Sequence, residues 1–357
     1  MTKAAELAKM GEVLTNSQIG GRRNIIINGA MQVAQRGTSE TGQGASDLFL
    51  LDRFHLNTNG NSAGRYTVTQ TADGPSGFAN CMKLDCTTAD TTIGSAERFF
   101  IEQRLEGQDL QQIKKGTSDA EQITVSFYVK GNASATYVLG LYESDNSRAV
   151  GAQFSVTTSW TRVVVTFPAD TTGALDDDNA ESLSLRWYLH AGSNYTSGTL
   201  ATTWASASAS TQVGSGTTSF FDSTDRTFFI TGVQLEVGSQ ATPFEHRSFG
   251  EELALCQRYF QKYSDNGSNH GYVTNGNILG NRFYGIIRWT TTMRATPAIS
   301  TTGSGFNVSS SGHSASGFSI DESHNPTVDA VRLRTGSSSN FTNGQGATLR
   351  FSTTASL

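Results

Sequence analysis

The sequence contains few charged residues, few prolines and few cysteines, and it has no long apolar run. Only 16% of its 357 residues are Asp, Glu, Lys or Arg, and proline occurs five times. The formal net charge is -5, so the chain offers no positive field for a phosphate backbone and we expect no nucleic acid partner. No apolar segment approaches the length of a membrane-spanning helix, so we also expect no membrane insertion.

The cysteines exclude several kinds of site. Three of them, Cys81, Cys86 and Cys256, are an odd number without zinc-site spacing, and the six histidines show no HxH or HExxH pattern. We therefore predict no metal and no cofactor. A Cys81–Cys86 bridge stays open, but three buried thiols are favoured.

The chain is instead rich in glycine, serine and threonine, and it contains short segments in which apolar and polar residues alternate. Apolar residues alternate with polar ones over 123–130 and 183–189, as in strands with one buried face. Further strand-like runs recur between loops rich in Gly, Ser, Asn and Asp. Residues 201–219 are low in complexity and lack apolar periodicity, so they predict a long exposed loop. About eight to ten strands in one unit predict an all-β fold, a jelly-roll β-sandwich over residues 24–246.

The two ends differ from this middle part. Residues 1–23 predict a short N-terminal helix and a hinge, with Leu7, Met10 and Leu14 as an anchoring seam, while a frayed terminus stays an equal alternative. Residues 247–357 predict a linking helix of roughly 14 residues that begins at Ser248, followed by a small C-terminal β domain. Its core is thin, so we expect self-association into a homotrimer.

Two segments resemble a known protein family. The opening segment, residues 23–38, reads RNIIINGAMQVAQRGT and is followed by Asp52-Arg53-Phe54. The closing segment, residues 232–247, reads GVQLEVGSQATPFEHR and leads into EELALCQRYF. Both resemble segments of bacteriophage tail fibres and fibre-like virion structural proteins that carry a carbohydrate-binding-type jelly roll.

The resemblance implies a virion appendage that is assembled in the host cytoplasm and exposed on the particle surface. Its N-terminal segment would bind other virion proteins, and its sandwich would bind a host surface glycan. The alternative is a passive capsid fibre or decoration protein without a receptor. A glycan depolymerase is less favoured, and we expect no enzyme activity.

Glycan binding needs an aromatic face and planar polar groups that bind hydroxyls. The richest cluster of such residues in the sequence comprises Tyr188, His190, Asn194, Tyr195 and Trp204. Packing in the core or at its rim is the competing interpretation for each of them. Tyr195 and Trp204 are favoured as glycan-binding residues because they lie in polar segments. In the tail, Tyr272, Tyr284, Arg288 and Trp289 suggest a trimer seam, or else a receptor surface.

The densest acidic group, Asp176–Asp178 with Glu181, offers two further alternatives. Paired carboxylates could cleave a glycan, and flexible carboxylate loops could hold Ca²⁺. Neighbouring acids in a loop are usually only solvated, so we predict no catalytic residue and no metal ligand here.

Overall fold

The chain folds into two units in the computed structural model, Met1–Glu252 and Leu253–Leu357. The structure describes residues 3–4, 22–263, 272–299, 306–310, 313–318, 320–324, 326–335, 337 and 343–351. Leu7, Met10 and Leu14 of the proposed anchor lie outside this part of the chain. The domain boundaries expected from the sequence, after residues 23 and 246, stay predictions.

The first unit contains two antiparallel sheets. The first sheet has the strand order β1-β4-β5-β13-β7-β10 and the second sheet the order β12-β9-β8-β11-β6-β3-β2. The strands are β1 Ser39–Gln43, β2 Leu48–Phe49, β3 His55–Asn59, β4 Arg65–Thr71, β5 Cys81–Thr88, β6 Arg98–Glu106, β7 Ile123–Gly131, β8 Ala135–Glu143, β9 Arg148–Val156, β10 Thr161–Phe167, β11 Glu181–Ala191, β12 Ala205–Ser206 and β13 Thr227–Val237.

A single apolar core fills the space between these sheets. The alternation noted in the sequence places Phe127 of β7 and Trp187 of β11 inside, with their rings in edge contact at 5.7 Å. Burial of each such side chain contributes roughly 1.5–3 kcal/mol. The all-β class and the jelly-roll type of sandwich are confirmed, and strand pairs across both sheets are antiparallel.

The opening and closing segments are joined by backbone hydrogen bonds. The Ile25 amide donates to the Leu235 carbonyl at 3.0 Å, and the Val233 amide donates to the Gly29 carbonyl at 2.9 Å. A Cβ at Gly29 would lie 2.1 Å from the Val233 oxygen, so only glycine fits. The Asn24 amide group bonds to Val233 and Leu235 as well. The motifs that carry the family resemblance therefore also close the sandwich.

The low-complexity segment after β11 is not a free loop, contrary to the expectation from composition. Helix α1, Ser193–Thr196, and a 3-10 turn at Ala209–Thr211 pack against each other, and β12 pairs with β9 of the second sheet. Leu200 and Val213 supply the apolar contacts, and Val213 is buried. The Gly151 amide donates to the Ala201 carbonyl at 2.7 Å. Two apolar residues among many small polar ones are enough to fix the segment.

The linking helix and the buried thiols predicted from the sequence are both present. Helix α2 spans Phe249–Gln257, shorter than the roughly 14 residues suggested by the periodicity, and the Ser248 hydroxyl accepts the Glu251 amide as an N-cap. The three cysteines are free and buried, which excludes the Cys81–Cys86 bridge. No described helix is both long and apolar enough to cross a membrane.

The second unit is built around one antiparallel sheet with the order β17-β16-β20-β14-β15-β19-β18. One face of this sheet carries a small core that includes Ile278, Phe283 and Leu333. The strands are β14 Tyr272–Leu279, β15 Arg282–Arg288, β16 Phe306–Ser310, β17 His313–Phe318, β18 Ile320–His324, β19 Ala330–Thr335 and β20 Gly346–Phe351.

Candidate functional site

The side of the second sheet that faces away from the core carries aromatic and charged residues, and we call it the outer face. Alternation along the strands places Tyr142 of β8, Arg186 and Tyr188 of β11, and Phe100 and Glu102 of β6 on it. Arg186 lies opposite Glu102 in register, and Tyr188 lies opposite Phe100. Polar residues at the centre of a sheet are costly to bury unless they are paired, so the charged residues of this face must have partners.

Glu102 is the centre of a charged network on the outer face. Its carboxylate accepts hydrogen bonds from Arg186 Nε at 2.7 Å and Arg104 Nε at 2.8 Å, and His55 Nδ1 lies 3.2 Å away. Burial alone would raise the pKa of Glu102, but the hydrogen bond with His55 and the charges of Arg186 and Arg104 outweigh it and lower the pKa to about 2. The carboxylate is therefore ionised at neutral pH.

The Arg186 guanidinium is held between two aromatic rings. Its central carbon lies 4.3 Å from the centroid of Tyr142 and 5.4 Å from that of Phe100. Two cation–π contacts and an ion pair to Glu102 restrict the geometry of this side chain. Tyr142 is half-buried.

A pocket opens beside Tyr142. Its enclosed volume is about 10 Å³, room for about one water molecule, and its walls include Tyr142, Tyr188, Thr211 and Gln212. The floor contains Gly140, where a Cβ would approach the Tyr188 ring to 3.0 Å. Tyr188 Oη donates to Gln212 Oε1 at 3.3 Å. An aromatic wall, a small-residue floor and amide and hydroxyl groups therefore surround a small cleft that has room for a hydroxyl group but not for a whole sugar ring.

A second aromatic residue marks the far edge of the outer face. Phe49 is 42% exposed and stacks on His55, with ring centroids 4.2 Å apart and planes at 7°. Four strand spacings separate Phe49 on β2 from Tyr142 on β8, which is roughly 19 Å. A chain of several sugar rings could span that distance.

The residues proposed from the sequence fall into three places. Tyr188 lines the pocket but is 3% exposed, and Tyr195 is half-buried beside the same apolar cluster, with Arg98 5.1 Å from its ring. Asn194 is exposed on α1. His190 is buried between Ser219 and Glu97, and burial lowers its pKa.

Trp204 belongs to a different pocket. Its indole Nε1 donates to the Pro168 carbonyl at 2.9 Å, and the Lys115 ammonium lies 5.4 Å from its ring. The structure therefore brings Tyr188 and Tyr195 together but places His190 and Trp204 elsewhere.

The sequence interpretation missed Tyr142, Glu102 and Phe49 as site residues. One signal was present: Glu102, Arg104 and Arg186 lie on the polar side of two alternating strands, in a sequence that has few charged residues. Strand pairing, which brings these charges together, is a long-range property that a single alternating segment does not reveal.

No metal site is evident among the residues that the structure describes: no group of three or more His, Cys, Asp and Glu side chains has suitable geometry. Asp176, Asp177 and Asp178 are exposed, and the Asp178 carboxylate accepts the Ala180 amide at 2.8 Å as a turn residue does.

No protein-family model matches this chain, and no curated protein matches it in sequence. Several solved structures do resemble it. A family 11 carbohydrate-binding module from Clostridium thermocellum, in complex with a β-1,3-1,4-mixed-linked tetrasaccharide, is 10% identical and aligns with a TM-score of 0.29 over 57% of this chain and 98% of its own.

A family 61 carbohydrate-binding module in complex with β-1,4-galactotriose aligns with a TM-score of 0.31 at 10% identity, over 60% of this chain and 99% of its own. The tandem family 22 modules of Xyn10C from Paenibacillus barcinonensis are 8% identical and cover 90% of this chain and 91% of their own, with a TM-score of 0.27. At such low scores, these likenesses establish no family and no function for this chain.

Proposed function

We propose that the outer face of the second sheet binds a glycan and that the chain does so as a binding protein, without catalysis. The observation that carries the proposal is the fixed arrangement of Tyr142, Arg186 and Glu102 beside a pocket with a small-residue floor. An oriented aromatic ring and planar charged groups are the features that recognise pyranose rings and their hydroxyls.

The arrangement is already formed in the free protein. Arg186 contacts two aromatic rings and is bound to Glu102 at Nε, so it loses little side-chain freedom when a ligand arrives. Glu102 keeps its negative charge because its pKa is about 2, so it holds Arg186 in place and is unsuited to act as a general acid. The cleft beside Tyr142 is too small to enclose a sugar ring, so a glycan would contact only its rim and each contact would be weak.

The finer proposal is that the chain is a phage virion appendage, a tail fibre or fibre-like protein that attaches the particle to the host surface. It is supported by the resemblance of the opening and closing segments to that family. In a homotrimer, three weak sites on one appendage raise the effective affinity through avidity. The alternative without a receptor is a passive capsid fibre or decoration protein, and a depolymerase is less favoured.

We expect Tyr142→Ala to weaken glycan binding by about tenfold, because the substitution removes the aromatic wall and loosens Arg186. Binding is measured by calorimetry with the best ligand from a printed array of neutral and acidic oligosaccharides. Tyr128→Ala is the matched control, since Tyr128 is also half-buried but lies on the first sheet. Equal loss in both variants, or no array ligand for the wild type, would contradict glycan binding at this face.

The location on the particle needs a separate measurement. Gold-labelled antibodies against the chain should decorate the tail tips of intact virions and should block adsorption to host cells. Labelling of the head without an effect on adsorption would favour the decoration protein instead.

A further inference from the structure

The two units of the chain carry opposite charge. The second unit, Leu253–Leu357, has eight Lys and Arg but four Asp and Glu, a net charge of +4, which leaves -9 on the first unit. Such an asymmetry within one chain indicates a local binding preference that the total of -5 conceals.

The arginines of the second unit are concentrated on one side of its sheet. On β15, Phe283 and Ile287 are buried, whereas Ile286 is 58% exposed and Arg288 is exposed. Arg332 of the neighbouring β19 is exposed and lies opposite Ile286 in register. We call this exposed side the basic face.

The basic face combines charge with groups that suit a sugar. Arg332 lies 5.9 Å from the ring of Tyr284, and Asn277 of β14 lies opposite Tyr284 in register. Asn275 and Asn277 are both exposed. Three adjacent strands therefore carry different groups on this face. Strand β14 presents the asparagine amides, β15 presents Tyr284 and Ile286, and β19 presents the Arg332 guanidinium. Arg282 and Arg334 are half-buried, whereas Arg288 and Arg332 are exposed, so the exposed positive charge centres on Arg288 and Arg332.

We propose that the basic face is a second binding site and that its ligand is an acidic polysaccharide, one with a carboxylate or other anionic group on its sugar rings. Arg288 and Arg332 would bind the anionic groups, Tyr284 would contact a ring, and the asparagines would bind hydroxyls. This site lies on the second unit and does not depend on the pocket of the first.

Two other occupants fit the face less well. A symmetric contact with a second copy through the same face would place arginine against arginine, which is repulsive. Duplex DNA carries a charge about every 1.7 Å, far denser than one charge per sugar ring, and the net charge of the whole chain, -5, disfavours it as well. A polyanion with about one charge per sugar ring suits a face with two exposed arginines, and its hydroxyl groups suit the exposed asparagine amides.

The test compares polygalacturonate with its fully methyl-esterified form, which has the same sugar but no charge. The full chain should bind polygalacturonate and bind the ester at least about tenfold more weakly, and high salt should weaken binding of the charged form. Arg288→Gln/Arg332→Gln should reduce polygalacturonate binding by about tenfold or more without altering thermal unfolding. Dextran sulfate against dextran separates a preference for sulfate from one for carboxylate.

Lys83→Gln/Lys114→Gln is the control, because it makes the same change in net charge on the first unit. Tyr142→Ala should also leave polygalacturonate binding unchanged, which separates this site from the proposed glycan pocket. Equal binding of the ester, or an unaffected Arg288→Gln/Arg332→Gln variant, would overturn the proposal. Self-association of the wild type at low salt that is lost in Arg288→Gln/Arg332→Gln would also overturn it, because the acidic first unit of a second copy would then occupy the basic face. Tighter binding of duplex DNA than of polygalacturonate would overturn it as well.

Discussion

Glu102→Gln should lower the free energy of unfolding by about 3 kcal/mol at pH 7. The carboxylate is fully buried and neutralises Arg186, which is only 12% exposed. A shift of the pKa from 4.5 to about 2 corresponds to roughly 3 kcal/mol, because one pKa unit is about 1.4 kcal/mol. The glutamine keeps the shape but leaves the arginine without a counter-charge.

The effect should depend on pH with a defined sign. The folded-state pKa is below the unfolded value, so the carboxylate stabilises the fold above about pH 4.5 and this contribution is lost as the pH falls toward 2. The difference between wild type and Glu102→Gln should shrink to less than half of its neutral value at about pH 3. Urea unfolding followed by tryptophan fluorescence measures it, since three of the four tryptophans lie in the first unit.

Glu40→Gln serves as the comparison for this prediction. Glu40 is exposed on the edge strand β1, so its substitution should change stability by less than about 0.5 kcal/mol at either pH. A Glu102→Gln variant that unfolds like Glu40→Gln would show that the network on the outer face contributes little, and the preformed geometry proposed for the glycan site would lose its physical basis.

The fold was predictable where burial follows a local period. Strands β7 and β11 repeat every two residues, and Trp187 lies on the buried side as the pattern indicates. The packed segment after β11 was not predictable, because its contacts with the sheet depend on single residues such as Val213 in a sequence without periodicity. The extent of α2 was overestimated, because helical spacing in the sequence continues past the residue where the backbone leaves the helix.

The candidate site was less predictable than the fold. Aromatic content pointed to residues 188–204, and only part of that cluster lies at the pocket. Tyr142 is 46 residues from Tyr188 in the sequence, yet both line one pocket because β8 and β11 are neighbours in the sheet. The functional face is a product of strand order, and strand order depends on contacts that no local segment contains.

A buried ion cluster at Lys115 leads to a second large effect. The ammonium is 3% exposed and donates to the carbonyls of Thr172 and Gly173 at 2.9 and 2.8 Å. It lies 3.1 Å from Asp170 and 3.4 Å from the fully buried Glu143. Arg148 binds the Asp170 carboxylate through two nitrogens and holds it in place, and burial is outweighed by these partners, so the pKa of Asp170 is lowered.

Lys115→Met should therefore destabilise the first unit by about 3–5 kcal/mol, because it leaves a buried carboxylate without its cation. The adjacent Lys114 provides a close control. It forms an ion pair of similar length with Glu121, at 3.0 Å, but both side chains are more than 40% exposed, so Lys114→Met should cost less than about 1 kcal/mol. Urea unfolding of the two variants compares the same substitution at neighbouring positions. Equal losses would mean that burial does not determine the strength of these ion pairs, whereas a large loss at Lys115 alone would show that this cluster holds residues 170–173 against strand β8.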